Sequence, residues 1–292
     1  MKTILNKNIL SYILILLILA SCSSKQAIPV WEVTKKDCPT SYIIGITNYL
    51  SKNADGDLIS DTILKYFDSA EIIISQIDER NSDIKLIINE IGIGQNLTLA
   101  DILSPKELES LKNKKNTFDG IKKNNFSSPD SSKVKLIFYL KDILNTVKKD
   151  YLYFDMLWQK RAMASHKEKI GLESSQEFYG TQAKIPLSEQ IDFMNSISDF
   201  NDFSTSFSHQ ISSLYLDGNL EEIQIQYLNN FPYLKTNYNS FFTKKHEIWA
   251  TKLDANLSKQ KCFISLDVIH LVGKNNLIKN LLSKGYSISK IK

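Results

Sequence analysis

The stretch that most constrains this chain is its last thirty residues, Cys262 to Lys292. Cys262 to Ile269 is an almost continuous apolar run, which reads as a strand buried on both faces. One carboxylate, Asp267, stands near its end, and His270 follows before Val272-Gly273. Leu277, Ile278, Leu281 and Leu282 then recur at helical spacing. Gly285 stops that helix, and YSISKIK reads as a closing strand. In open α/β sheets ligands bind at the carboxyl ends of strands, so the turn carrying Asp267 and His270 is the first place to look for a site.

The other end of the chain supplies a possible address rather than fold. Lys2 and Lys7 precede an apolar run, Ile9 to Leu19, that is short for a bilayer span. The tetrad Leu19-Ala20-Ser21-Cys22 resembles the lipobox of bacterial lipoproteins. That resemblance implies a signal peptide over 1–21, lipid on Cys22, a tether over 22–29, and an exported protein anchored to a membrane of the bacterial cell envelope. Removing Lys2 and Lys7 takes the formal net charge from +4 to +2. A nearly neutral chain has no nucleic-acid footprint, and the lysines around Lys112 to Lys123, with Phe118 alone among them, show no aromatic stacking pattern. Two thiols remain, Cys38 and Cys262. In an oxidising compartment they would either bridge, if their strands are adjacent, or remain buried and free.

Between these ends the pattern predicts one domain over 30–292. Val30 to Thr34 and Ser41 to Ile46 read as a hairpin, a helix is expected over about 57–67, and Glu71 to Ile77 as a strand parallel to its predecessor. Two short helices follow, the second with Ser104 at its cap and Pro105 in its first turn. Polar residues 113–132 read as loop. From Lys133 a large helical insertion is expected to about 259, interrupted by a short strand near Lys169 to Glu173. The fold class is therefore α/β, or mixed α+β, with a central mixed sheet built from N- and C-terminal strands.

An ordered series of segments carries a resemblance. It runs Val30-Trp31-Glu32-Val33, Tyr42 to Asn48, Ala70 to Ile74, Leu97 to Asp101 with Leu103-Ser104-Pro105, and Gly171-Leu172-Glu173-Ser174. It continues through Leu216 to Leu220, Trp249, Val268 to Gly273 and Gly285-Tyr286. In this the chain resembles the TraB/GumN family, to which the TIKI metalloproteases also belong. The resemblance implies an α/β fold whose first and last strands meet around one pocket. It also implies, for TIKI-type members, a metal-dependent protease with two Gly-x-x-His motifs and acidic residues.

The departures from that pattern decide the expected chemistry. The first motif would be Gly45-x-x-His, and Asn48 stands in place of the His. Gln76 stands where an acid is expected, and Lys245-His246 where the family has Arg-Asn. The second motif keeps His270 but has Asp267 at its Gly position, and Glu173 is retained. An amide at Asn48 is a weak donor for a hydrolytic ion, and Gln76 has neither charge nor basicity. The expectation is a degenerate site in a lipid-anchored binding or scaffold module. It would have no cofactor, and a peptide or protein would be its ligand. The alternative is a divalent-metal-dependent hydrolase using Mn, Co or Zn, with Glu173 and His270 catalytic, Glu173, Asp267 and His270 as ligands, and His246 as a fourth. A third reading is a structural lipoprotein of an envelope complex. Asp267, in an apolar strand, needs a partner, for which Lys245 is the candidate. Asp78 and Asp155 read as structural residues.

Overall fold

The computed structural model describes residues 28–50, 59–78, 83–94, 97–116, 133–146 and 153–291. The proposed leader, Cys22 and most of the loop read over 113–132 lie outside the described residues, as do the first two residues of the helix read over 57–67. Among the described residues the fold is mixed α/β. Six strands form one sheet in the order β4-β3-β5-β2-β1-β6, with β1 Val30–Thr34, β2 Ser41–Ile46, β3 Ile72–Ile77, β4 Glu168–Glu173, β5 Cys262–Asp267 and β6 Ser287–Ile291. The strands β4, β3, β5 and β2 are parallel, while β1 runs antiparallel to both β2 and β6.

Chain beginning and chain end do meet. Tyr42 lies opposite Phe263 and Ile46 opposite Asp267 in the parallel β2–β5 pair. The β1–β2 hairpin is present as the alternation predicts. The strands β2 and β3 are parallel, as a crossover requires, but they are not neighbours, because β5 is inserted between them. That central position explains the unbroken apolar run of β5. Its residues Cys262 to Leu266 are buried on both faces, so no polar alternation is possible.

Helix α1 (Asp61–Ser69) is started by Ser60, whose hydroxyl accepts from the Ile63 amide. It stacks Tyr66 on Tyr42 and sets Phe67 edge-on to Phe263. A further helix, α2 (Ile84–Ile91), follows β3 and is capped by Asp83. Its sequence IKLIINEI sets Ile84, Ile87, Ile88 and Ile91 at helical spacing, but the run is only two turns long and it is absent from the sequence-based reading. The short helices α3 (Leu99–Ile102) and α4 (Pro105–Asn116) begin where expected, with Ser104 and Glu107 exchanging the two bonds of a capping box, but α4 runs on through Asn116 into the stretch read as loop from 113.

The helical stretch comprises α5 (Leu136–Thr146), α6 (Phe154–Ala164), α7 (Ser175–Ala183), α8 (Leu187–Ser196), α9 (Phe200–Leu216), α10 (Leu220–Asn230) and α11 (Pro232–Thr236). A π-helical turn at Asn239–Thr243 leads into α12 (Lys244–Leu257). The stretch is broken by β4, which joins the sheet edge. Helix α12 packs against β4 and against α13 (Leu277–Ser283). Gly285, at φ 86°, closes α13 as expected: its amide bonds the Leu282 carbonyl and the Tyr286 amide bonds that of Leu281.

Cys38 and Cys262 are both free thiols, the first half-buried and the second buried. Burial pushes the Cys262 thiol up to about 12.

At Gly171 the backbone around the ends of β3 and β4 leaves no room for a side chain. A Cβ there would lie 2.5 Å from the Asp78 amide nitrogen and 2.9 Å from the Glu173 carbonyl oxygen, both backbone atoms. Gly171→Ala is therefore expected to destabilise the fold by about 1–3 kcal/mol, as overpacking does, read as a lowered denaturant midpoint at unchanged slope.

Candidate functional site

Four parallel strands deliver four polar positions to one end of the sheet. Asn48 lies two residues past β2, Gln76 near the end of β3, Glu173 at the end of β4 and Asp267 at the end of β5. A 3₁₀ turn, Val268–His270, then raises His270, and α12 brings Lys245 and His246 across the same end. The sequence-derived residues thus converge, as strand-end placement predicts.

They open on a cavity of about 610 Å³. Its polar end is formed by Asn48, Gln76, Lys245, Asp267 and His270, and its walls by rings including Tyr49, Phe178, Tyr179, Phe207, Tyr227 and Phe241. Asp155 and Lys169 also line it. Glu173 and His246 are not on its surface; they lie behind Gln76, Lys245 and His270.

Glu173 is bound on one oxygen by two donors. Lys245 Nζ lies 3.0 Å from Oε1 and Gln76 Nε2 2.7 Å from the same atom. Both side chains of the ion pair are buried, 8% and 6% exposed, so the carboxylate is neutralised out of water, where a lone charge would be prohibitive. The Lys245 ammonium also lies over the faces of Trp249 and Phe178, at 5.5 and 5.7 Å. Lys245 is therefore the partner of Glu173 and not, as the sequence suggested, of Asp267. Asp267 instead accepts from the Ile269 amide at 3.1 Å and so starts the 3₁₀ turn. At this site Gln76 acts as a donor, which a carboxylate in its place could not do without a proton.

The two histidines form a chain. His246 Nδ1 lies 2.6 Å from the Asn275 carbonyl oxygen, so that nitrogen carries the proton and donates. His246 Nε2 must then accept, and its partner at 3.0 Å, His270 Nδ1, must donate. This leaves His270 Nε2 as a lone pair. Burial holds both rings neutral. It pushes His246 down to about 4, with a smaller contribution from Lys245, and pushes His270 down as well, reinforced by His246 and Lys245. Trp249 packs against His270 at 4.8 Å between ring centres.

The loop bearing His270 is fixed by residues the sequence reading did not name. Gln224 donates to the carbonyls of Ile269 and Val272 at 3.0 and 3.1 Å, and Glu221 accepts from the Gly273 amide at 2.7 Å. A signal existed: Gln224 falls on the apolar stripe of α10 beside Leu220, Ile223 and Tyr227, and a polar residue on such a stripe requires a buried partner. Past the end of the neighbouring strand β2, Asn48 Oδ1 and Thr47 Oγ1 are buried without a hydrogen-bond partner among the described residues.

A hydrolytic metal ion would have to be held by these side chains. Such an ion needs about three ligands and an open position. Glu173 is held by an ammonium and an amide, His246 by a carbonyl and His270, and among the described residues no group of three His, Cys, Asp or Glu side chains is placed to hold an ion. What the arrangement offers is an aromatic-walled pocket whose polar end carries the Asn48 and Gln76 amides, Lys245, Asp267 and His270.

Fold and site together define an α/β protein with a strand-end pocket assembled from both termini. The chain belongs to the TraB/PrgY/gumN family, whose family model matches residues 29–290. Comparisons with curated proteins and with solved structures return no match.

Two outcomes follow from this geometry. Lys245→Met leaves the Glu173 charge buried and should cost about 3–5 kcal/mol of stability, and adding Glu173→Gln should restore most of it in a denaturation-based double-mutant cycle. For pH, the unfolded imidazoles titrate near their ordinary 6.5 while the folded ones stay neutral. Below 6.5 the unfolded state therefore binds more protons, and stability falls as pH drops from about 6.5 toward 4. One such histidine contributes on the order of 2 kcal/mol between pH 6.5 and 5. His246→Asn should flatten that slope in melting curves.

Proposed function

We propose that this protein is a lipid-anchored binding or scaffold module of the bacterial cell envelope, whose pocket holds a ligand without hydrolysing it. The observation that carries this reading is the Lys245–Glu173–Gln76 cluster. An ammonium occupies the one strand-end carboxylate that the family resemblance would make catalytic, and an amide stands where a general base would be. The anchor is Cys22, in its lipobox-like tetrad. No helix among the described residues is long and apolar enough to cross a membrane, so lipid on Cys22 is the attachment proposed. The aromatic walls of the pocket suit apolar side chains of a peptide or protein ligand, and the acceptors Asn48 Oδ1 and His270 Nε2 suit its amide donors.

The competing hydrolase reading, with Glu173, Asp267 and His270 around Mn, Co or Zn, has one observation in its favour: His270 is neutral and retains a lone pair. It requires Lys245 to leave Glu173. Metal content of protein purified without chelator, followed by titration of each ion against melting temperature, separates the two. The expected result is well under one equivalent bound and no stabilisation. A stoichiometric ion that is lost in His270→Ala would establish the hydrolase instead. For the anchor, labelled palmitate should be incorporated by the wild type and lost in Cys22→Ala.

A further inference from the structure

We infer that α2 and the pocket end of the sheet rest on the bilayer surface, with α2 inserted into its apolar boundary. This rests on the lipid anchor proposed above and adds to it an orientation. Two independent features point the same way.

The first is the apolar pattern of α2. Ile91 is buried and Ile87 lines the pocket, which is the inward stripe. The same face continues to the start of the helix, where it leaves the protein: Ile84 is 69% exposed and Ile88 54%, and Leu86, on the far side, is 40% exposed. The helix is held from beneath, by Lys135 Nζ on the Glu90 carbonyl at 2.9 Å and by packing on α7. An apolar helix face that runs from the protein interior into the open suits a second apolar medium at its exposed end. Lys85, beside Ile84 and Ile88, can extend its ammonium to headgroups while its stem stays in the boundary.

The second feature is where the chain enters the fold. Ile28 is buried, the Pro29 carbonyl accepts from the Gly45 amide at 2.9 Å, and Val30 lies opposite Ile44. The chain therefore enters level with the carboxyl end of β2, which is the pocket end. From Cys22 to Ile28 there are six residue steps, at most about 21 Å when fully extended. An acyl-bearing Cys22 thus keeps the bilayer near the end of the sheet from which α2 emerges after β3.

The test uses the full lipidated chain reconstituted into vesicles of phosphatidylethanolamine and phosphatidylglycerol carrying brominated acyl chains. Bromine quenches a tryptophan only at the depth of the chains, and the native Trp31, Trp158 and Trp249 are buried, so their signal is subtracted as a constant. Ile88→Trp and Ile84→Trp place the probe on α2. Leu282→Trp places it on an exposed position of α13, just before β6 starts opposite Thr34 at the other end of the sheet. The expected result is quenching at both α2 positions at least threefold greater than at Leu282. Vesicle-bound protein with unquenched α2 probes, or with equal quenching at Leu282, overturns the orientation while leaving the anchor intact. A blue shift at Ile88→Trp that depends on protein concentration and not on bromine assigns the stripe to a second protein copy and also overturns it. Failure of the wild type to float with vesicles removes the anchor reading and this inference with it.

Discussion

The parallel pairing of β2 with β5 is the constraint on which the rest of the molecule depends. It joins segments some 220 residues apart in sequence, as the bond from the Cys262 amide to the Ser41 hydroxyl at the start of the pair illustrates. A pairing of such range carries a large loop-closure cost before it yields any contact. That cost is offset by β5 being buried on both faces in the centre of the sheet, with Phe263 meeting Phe67 and Trp158. Once the pair forms, Asn48 and Asp267 fall at one end, and β3 and β4 add Gln76 and Glu173 beside them. The pocket is a consequence of strand order rather than of local sequence.

Charge at that end is arranged by neutralisation. Glu173 could not stay ionised and buried alone, and α12 supplies Lys245 while β3 supplies the Gln76 amide. The same logic governs the imidazoles. With Lys245 nearby and little water, a second positive charge is disfavoured, so His246 and His270 share one proton-ordered chain ending on the Asn275 carbonyl. Substituting an amide for a carboxylate at position 76 is consistent with this: it adds a donor to a crowded oxygen without adding a charge.

The reach of sequence reasoning is clearest where periodicity and end signals agree. The hairpin, the β5 strand, the Gly285 stop and the Ser104 box were all legible, because each rests on local backbone chemistry. Helix α2 was not, because its apolar face, Ile84, Ile87, Ile88 and Ile91, spans only two turns, and a run that short and apolar does not separate helix from strand by pattern alone. The pairing of Lys245 was misassigned to Asp267. Both acids lie at strand ends, and only the lateral position of α12 over β4 decides between them. Gln224 went unnamed although its place on an apolar helical stripe marked it as needing a partner.

Sequence alone was sufficient for the identity of the chemical groups and for the elements that carry them: an amide at 48, an amide at 76, an acid at 173, imidazoles at 246 and 270. It was sufficient too for the family-like order of segments, because strand and helix propensity are properties of neighbouring residues. Which group touches which was decided only in three dimensions. Strand order put β5 between β2 and β3, and the crossing of α12 placed an ammonium on Glu173 and an imidazole against His270. Those distances depend on how distant segments pack, and no local spacing encodes them.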